Sequence, residues 1–109
     1  MEVLEQRAGD TLVLEVVGRI DAVTAKLFEA AVLTPVQSGE TPVVLDLDRL
    51  KYISSAGLRV ILLAARQQKQ KKAKFALCNL HDEVRDVFEI SGFAKILDIH
   101  PSREAAVAA

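Results

Sequence analysis

The chain has 109 residues, of which 50% are apolar and 27% are charged, and its formal net charge is −1. These values predict one globular domain over residues 1–109 and disfavour a nucleic-acid or anionic-membrane partner, because binders of either carry a clear basic excess. The first residues form no apolar leader, no apolar run approaches membrane-spanning length, and the lone Cys78 cannot form a disulfide within the chain. We therefore expect a cytoplasmic protein that is a monomer when free, with Cys78 in its core.

The first half of the chain predicts a hairpin, a helix and a buried strand. Strands are expected over residues 2–7 and 11–17, separated by Ala-Gly-Asp, which suits an antiparallel turn. Gly18 should end the second strand, and Asp21 is placed to cap a helix over residues 22–38, with Leu27 on its apolar face. Residues 43–45 are aliphatic without alternation, which indicates a strand covered on both faces, and a short polar loop should follow.

The second half predicts three further helices and two strands. A helix should begin within a residue or so of Ser54, because apolar residues recur after it at helical spacing. A strand over residues 74–80, a helix over 82–91, a strand within 93–99 and a brief final helix complete the order β-β-α-β-α-β-α-β-α. The prediction is an α/β fold in which a small mixed sheet packs with about four helices.

The two serines at the start of the second helix are the candidate functional residues. The first amides of a helix lack internal partners and carry the positive end of the helix dipole, so this position suits a phosphate. On spacing alone, Ser54 and Ser55 are ordinary caps. Gly57 disfavours a helix, so it must allow either close packing on the sheet or close approach of another protein.

Other residues of the second helix extend this candidate site. Arg59 follows Ser55 by one helical turn, where it could pair with a phosphate or with an acid of a partner. Asp21 and Asp48 are the carboxylates that a phosphate would face. Leu63 lies on a second apolar side of the helix, which is either covered by neighbouring elements or forms a docking patch.

The segment LDLDRLKYISSAGLRVIL resembles the signature of STAS domains, and specifically of bacterial anti-sigma factor antagonists. The likeness covers the whole chain, because VGRID matches the family's turn after the second strand and VRDVFEISGFAKIL resembles its third helix and final strand. In that family the serine two positions before the glycine is phosphorylated by a partner kinase that is also an anti-sigma factor, and a metal-dependent serine phosphatase reverses the reaction. The resemblance implies a STAS fold with Ser55 as the phosphorylated residue and Asp21 beside it.

The resemblance also implies that the chain binds the serine kinase and the phosphatase. Together with the residue pattern of the second helix, it predicts these partner-binding residues: Asp21, Ser54, Gly57, Arg59 and Leu63. Ser54 occupies a position where the family often has Asp, and it is the second candidate for phosphorylation. The chain itself would need no cofactor and no metal, since ATP and Mg²⁺ would belong to the kinase.

Three rival interpretations come from other classes of protein. A receiver domain would be phosphorylated on Asp46 or Asp48, but it also needs an acidic pair after its first strand, which this sequence lacks. An enzyme with Ser55 as nucleophile would need a histidine base, and only His81 and His100 are available. A STAS domain could instead serve as a constitutive adaptor, for example in a lipid-transport assembly, with its serine unmodified.

The tract RQQKQKKAK, residues 66–74, holds five basic residues and no acid. Cations near a helix C-terminus are favourable and usually solvated. The tract is therefore typical of a solvated helix end, and it is also compatible with an acidic partner surface.

Overall fold

A computed structural model describes residues 1–39 and 41–109 of the chain. The strands are β1 (Glu2–Ala8), β2 (Thr11–Ile20), β3 (Val43–Asp46), β4 (Leu50–Ile53), β5 (Phe75–Cys78) and β6 (Asp98–His100). The helices are α1 (Ala25–Gln37), α2 (Ser55–Gln70), α3 (Asp82–Ile90) and α4 (Arg103–Ala108), and Phe93–Lys95 forms a short 3₁₀ helix.

One mixed sheet organises the domain, in the order β1-β2-β3-β5-β6, with β4 also paired to β2. The β1–β2 hairpin is antiparallel, and the remaining pairs are parallel. Val43, Val44 and Leu45 of β3 are fully buried, as expected for a strand covered on both faces. The predicted α/β class is confirmed.

The polar loop predicted after β3 is wrong, because that stretch contains the strand β4. The correction is linked to a second one: β2 does not end at Gly18 but continues to Ile20. Gly18 has φ +105°, and the pairing register of β2 and β4 shifts between Gly18 and Arg19. A glycine tolerates this bulge, so β2 pairs with β3 through its first half and with β4 through its last residues.

Two apolar clusters lie on opposite faces of the sheet. The larger one joins alternate sheet residues, such as Leu14 and Leu45, to Phe28, Ile61 and Phe88 of the first three helices. The smaller one joins the intervening sheet residues to α4, with these buried members: Val13, Val44, Ala76, Cys78 and Ala106. Cys78 is fully buried, which confirms the predicted core cysteine, and this burial raises the pKa of its thiol to about 12.

An ion pair fastens α4 to the sheet. Arg103 directs Nε and Nη2 to Oδ2 of Asp46, each at 2.8 Å, and Asp46 is only 3% exposed. The other carboxylate oxygen of Asp46 accepts a 3.0 Å hydrogen bond from Nδ2 of Asn79. Because removal of one partner leaves the other charge buried, this contact holds the final helix in place.

Two further predictions, the start of the first helix and the extent of the last strand, differ from the structure. Residues 22–24 form a turn, so α1 begins at Ala25, and Leu27 is 65% exposed, while Phe28 and Val32 face the core instead. The expected strand within residues 93–99 is reduced to β6, because Gly92 has φ +82° and leads into the 3₁₀ helix.

Within the described residues, none of the helices combines the length and apolarity needed to span a bilayer.

Candidate functional site

The loop between β4 and α2 gives its two serines different roles. Ser54 has an extended backbone, and its Oγ accepts a 3.3 Å hydrogen bond from the amide of Gly57, which is the geometry of a helix N-cap. Ser54 is half-buried, whereas Ser55, the first residue of α2, is exposed. The hydroxyl of Ser54 is therefore engaged in capping, and the hydroxyl of Ser55 faces solvent.

Asp21 closes the neighbouring turn. Its Oδ1 accepts hydrogen bonds from the amides of Val23, at 2.9 Å, and Thr24, at 3.0 Å. In return, the amide of Asp21 donates to Oγ1 of Thr24 at 2.9 Å. The bond from the Thr24 amide is the main cause that lowers the pKa of the Asp21 carboxyl below its ordinary value. Asp21 is thus a charged, half-exposed carboxylate that also organises the entry to α1.

The sheet brings Asp21 and the serines together. Ile20 pairs with Ile53 at the ends of β2 and β4, and the amide of Ser54 donates a 2.8 Å hydrogen bond to the carbonyl of Ile20. Neighbouring strands lie about 4.8 Å apart, so the residues that follow these two ends are neighbours. That Asp21 lies near the serine loop follows from the pairing of β2 with β4, a strand that the sequence did not predict.

Gly57 is explained by packing. A Cβ at this position would lie 2.7 Å from Cγ2 of Ile20 and 2.8 Å from Cγ1 of Ile53. Real Cβ atoms do not approach so closely, so only glycine lets the first turn of α2 rest on the sheet. Gly57 is itself buried, so of the two reasons that the sequence left open, close packing is the one with structural support.

The remaining predicted site residues on α2 differ in their exposure. Arg59 is exposed one turn after Ser55. Leu63 is half-buried and packs against the larger core, so only part of its side chain is available to a partner. Val60 and Ala64 are buried, and α1 packs against α2. The second apolar side of this helix is therefore covered mainly by α1.

Asp48 does not join this site. It precedes β4, whereas Ser55 follows it, so the two are separated by the length of that strand, about 13 Å at 3.3 Å per residue. Its side chain lies 3.4 Å from Nε2 of His81 instead. Asp46, the other acid that a receiver domain would use, is buried against Arg103 and faces no solvent.

Exposed residues near Ser55 enlarge the site beyond what the sequence indicated. Val23, in the turn after Asp21, is 86% exposed, and the exposed Leu27 follows on α1. Arg19 and Tyr52 are paired across β2 and β4, and the guanidinium carbon of Arg19 lies 4.7 Å from the centre of the Tyr52 ring. No alternation marks this pair in the sequence, because the two central residues of β4 are both exposed, and a loop was therefore predicted over residues 50–53.

The described residues contain no group of three or more His, Cys, Asp and Glu side chains arranged to hold a metal ion. The contacts of the two histidines also lie away from the serines, since His81 lies beside Asp48 and His100 beside Asp98. The arrangement offers an exposed hydroxyl at a helix N-terminus, bordered by one carboxylate, one guanidinium and apolar surface.

Comparison with known proteins shows the family to which the chain is similar. The model of the STAS domain family matches residues 3–106. A relative from Bordetella bronchiseptica, BtrV, which is named as a candidate anti-sigma factor antagonist, is 52% identical over 92 residues, covering 84% of this chain and 79% of the relative.

Solved structures share the fold at lower identity. A candidate anti-sigma factor antagonist from Thermotoga maritima superposes with a TM-score of 0.90 at 20% identity, covering 97% of this chain and 92% of that one. SpoIIAA, an anti-sigma factor antagonist, superposes in its unphosphorylated form with a TM-score of 0.79 at 22% identity, covering 95% and 92% of the two chains. The phosphorylated form of SpoIIAA from Bacillus gives 0.74 at 20% identity, covering 98% and 97%.

Proposed function

The chain belongs to the STAS domain family, and on that premise we propose that it is an anti-sigma factor antagonist switched by phosphorylation of Ser55. The unphosphorylated chain binds a serine kinase that sequesters a sigma factor or another client, and binding releases that client. Phosphorylation of Ser55 ends the binding, and a metal-dependent serine phosphatase restores it. ATP and Mg²⁺ belong to the kinase, and the exchange takes place in the cytoplasm.

The observation that carries the proposal is the different environment of the two serines. The Ser54 hydroxyl is committed to the Gly57 amide, whereas the exposed Ser55 hydroxyl can enter the active site of a kinase. To enter a kinase active site, the half-buried Ser54 would have to leave the cap, at a cost of about 1 kcal/mol. Phosphorylation of Ser55 leaves the cap intact, which favours Ser55 over Ser54 as the modified residue.

The domain tolerates the charge that the reaction adds. A phosphate carries roughly two negative charges at neutral pH, and the positive end of a helix dipole favours such a charge by about 0.3–1 kcal/mol. The first turn of α2 contains no acidic residue, and Arg59 follows on the next turn. SpoIIAA, which shares the fold, has been solved with its phosphate in place. Phosphorylation therefore acts on the surface without unfolding the domain.

A docked partner does not tolerate the same charge. Asp21 follows the strand end that pairs with the strand before the serines, so phosphorylation adds negative charge to a surface that already carries a carboxylate. Val23 and Leu27, which follow Asp21, are exposed apolar residues. Burying that charge against the kinase costs desolvation and repulsion. A loss of affinity of about a hundredfold requires only about 2.7 kcal/mol, which one uncompensated interfacial charge supplies.

Affinity capture with three baits tests the proposal. Wild type and Ser55→Ala should retain an ATP-binding serine kinase from a lysate of the source organism, and Ser55→Asp should lose it. Ser91→Asp adds the same charge at an exposed serine after α3 and should retain the kinase. When ATP and Mg²⁺ are added to the captured complex, wild type should gain one phosphate at Ser55 and leave the kinase, whereas Ser55→Ala should stay bound.

Two results would reject the switch. Equal retention of one partner by Ser55→Ala and Ser55→Asp would indicate a constitutive adaptor, with Ser55 unmodified. Phosphate found at Ser54 instead of Ser55 would assign the switch to the capping serine. Circular dichroism of each bait should show the same folded spectrum, so that a loss of binding can be attributed to the added charge.

A further inference from the structure

The basic tract that follows Ser55 along the chain divides into two sets of side chains. Lys71 donates to the carbonyls of Val36 and Gly39, and Lys74 donates to carbonyls at the end of α4, including that of Ala109 at 2.7 Å. These two lysines tie neighbouring elements together. The other three cations, Arg66, Lys69 and Lys72, are exposed and line a cleft.

This cleft, the basic groove, has a volume of about 820 Å³. It runs between the C-terminal half of α2 and the segment from the 3₁₀ helix to β6. Its apolar walls are formed by Leu62, Phe75, Phe93 and Leu97, all of which are only half-buried in the free chain. Ile96 also lines it and is 71% exposed. The groove thus holds apolar surface that the domain itself leaves uncovered.

Cations dominate the rim of the basic groove. Within residues 1–39 and 41–109, Arg66, Lys69 and Lys72 form no ion pair within 4.0 Å. Asp98 is the one acid among the lining residues, and its carboxylate lies 2.8 Å from Nε2 of His100. Because the whole chain has a net charge of −1, the three cations are a local excess and not a general property of the surface.

We propose that the basic groove binds an acidic amphipathic helix of a partner protein. Apolar residues of the helix would fill the groove, and its flanking Asp or Glu side chains would pair with Arg66, Lys69 and Lys72. Arg66 and Lys69 stand three residues apart on one face of α2, which matches the spacing of acids at i and i+3 or i+4 on a second helix.

The shape and charge of the groove favour this occupant over other anions. The groove has only three cations beside apolar walls, on a chain without a basic excess, and this disfavours a nucleic acid as its occupant. An anionic membrane is a broad surface and cannot fill a concave cleft. Arg66 and Lys69 lie about 17–21 Å from Ser55 along α2, and Leu62, the lining residue of α2 nearest to Ser55, lies about 10 Å from it, at 1.5 Å per residue. Pairing with these cations does not cover the phosphorylation site. The inference is therefore separate from the proposed switch.

Titration of the ¹⁵N-labelled full chain with a synthetic helix tests the proposal. The probe is a peptide of about 15 residues with Leu at i, i+3, i+4 and i+7 and Glu beside them, and the control is a peptide of the same composition with this pattern scrambled. The patterned peptide should shift amide signals of residues 62–73 and 93–98 and bind more weakly as salt is added. The scrambled peptide should shift neither set.

Matched variants locate the binding. Arg66→Glu/Lys69→Glu should weaken the patterned peptide by about tenfold or more, whereas Lys26→Glu/Lys51→Glu, with the same charge change at exposed positions elsewhere, should not. Ser55→Asp should bind the peptide like wild type, which separates this test from the phosphorylation switch. The proposal is wrong if the peptides bind equally, if neither binds, or if the groove signals respond instead to phosphatidylglycerol vesicles or duplex DNA.

Discussion

The backbone amide of Ser54 donates a 2.8 Å hydrogen bond to the carbonyl oxygen of Ile20. This bond continues the pairing of β4 with β2, and it sets the position at which each strand turns into its helix. Asp21 follows Ile20 and Ser55 follows Ser54, so the carboxylate and the exposed hydroxyl follow two neighbouring strand ends. The geometry of the candidate switch therefore depends on the bulge at Gly18 that lets β2 reach β4.

Removal of the helix cap should separate the roles of the serines. Ser54→Ala loses the bond to the Gly57 amide and should lower the free energy of unfolding by about 1 kcal/mol. Ser55→Ala removes an exposed hydroxyl and should change it by less than about 0.5 kcal/mol. Urea denaturation followed by circular dichroism measures both. A cost for Ser55→Ala as large as that for Ser54→Ala would contradict the assignment of the cap to Ser54.

The contact of Gly57 with the sheet should make even a single methyl group harmful. Gly57→Ala places its Cβ against Ile20 and Ile53, and we expect a net loss of about 1–2 kcal/mol although alanine is the better helix former. The control is Gly39→Ala, where the new Cβ would lie no closer than 3.9 Å to Oγ1 of Thr41. If chemical denaturation shows Gly57→Ala to be as stable as wild type, the packing explanation for this glycine fails.

The hydrogen bonds of Asp21 to its turn should make the free energy of unfolding depend on pH in the acid range. Because these bonds lower the pKa of Asp21 in the folded state, its charged form stabilises the fold above the pKa of the unfolded chain, and this contribution is lost as the pH falls through the folded pKa. Wild type should therefore be more stable than Asp21→Asn at neutral pH, and the difference should shrink in strong acid. Urea unfolding at a series of pH values measures it, and a difference that grows on acidification would have the wrong sign.

The ion pair between Arg103 and Asp46 should be needed for the docking of α4. Arg103→Ala leaves the Asp46 carboxylate buried without its cation and should cost about 3 kcal/mol. Hydrogen exchange should accelerate in β6 and α4 while the amides of α2 remain protected. Arg66→Ala removes an exposed guanidinium and serves as the control, since it should leave exchange in α4 unchanged.

The sequence predicted the elements that carry strong local signals. The aliphatic run of β3 and the capping serine of α2 match the prediction, because burial and capping act through neighbouring residues. β4 was missed because its four residues show one buried position at each end and two exposed positions between them, a pattern without alternation. The sequence predicted a helix from residue 22, with Leu27 on its apolar face. The turn after Asp21 delays the start of α1 by three residues, and Leu27 is exposed.

The candidate site likewise combines residues that the sequence could predict with contacts that only the folded structure shows. Ser55 and Arg59 could be chosen from the sequence, since both lie on one helix. The proximity of Asp21 depends on a strand pairing between distant segments, and the basic groove depends on how residues 93–98 lie against α2. Such relationships are set by tertiary packing, which no window of the sequence contains.

The most direct test of the phosphorylation switch is calorimetry of the captured kinase with two forms of the full chain, one unphosphorylated and one carrying phosphoserine at position 55. The phosphate should weaken binding by about a hundredfold or more. The two forms should have the same circular dichroism spectrum, since α2 tolerates the charge. Equal affinities for the two forms would contradict the switch and leave Ser55 as an ordinary residue at the start of a helix.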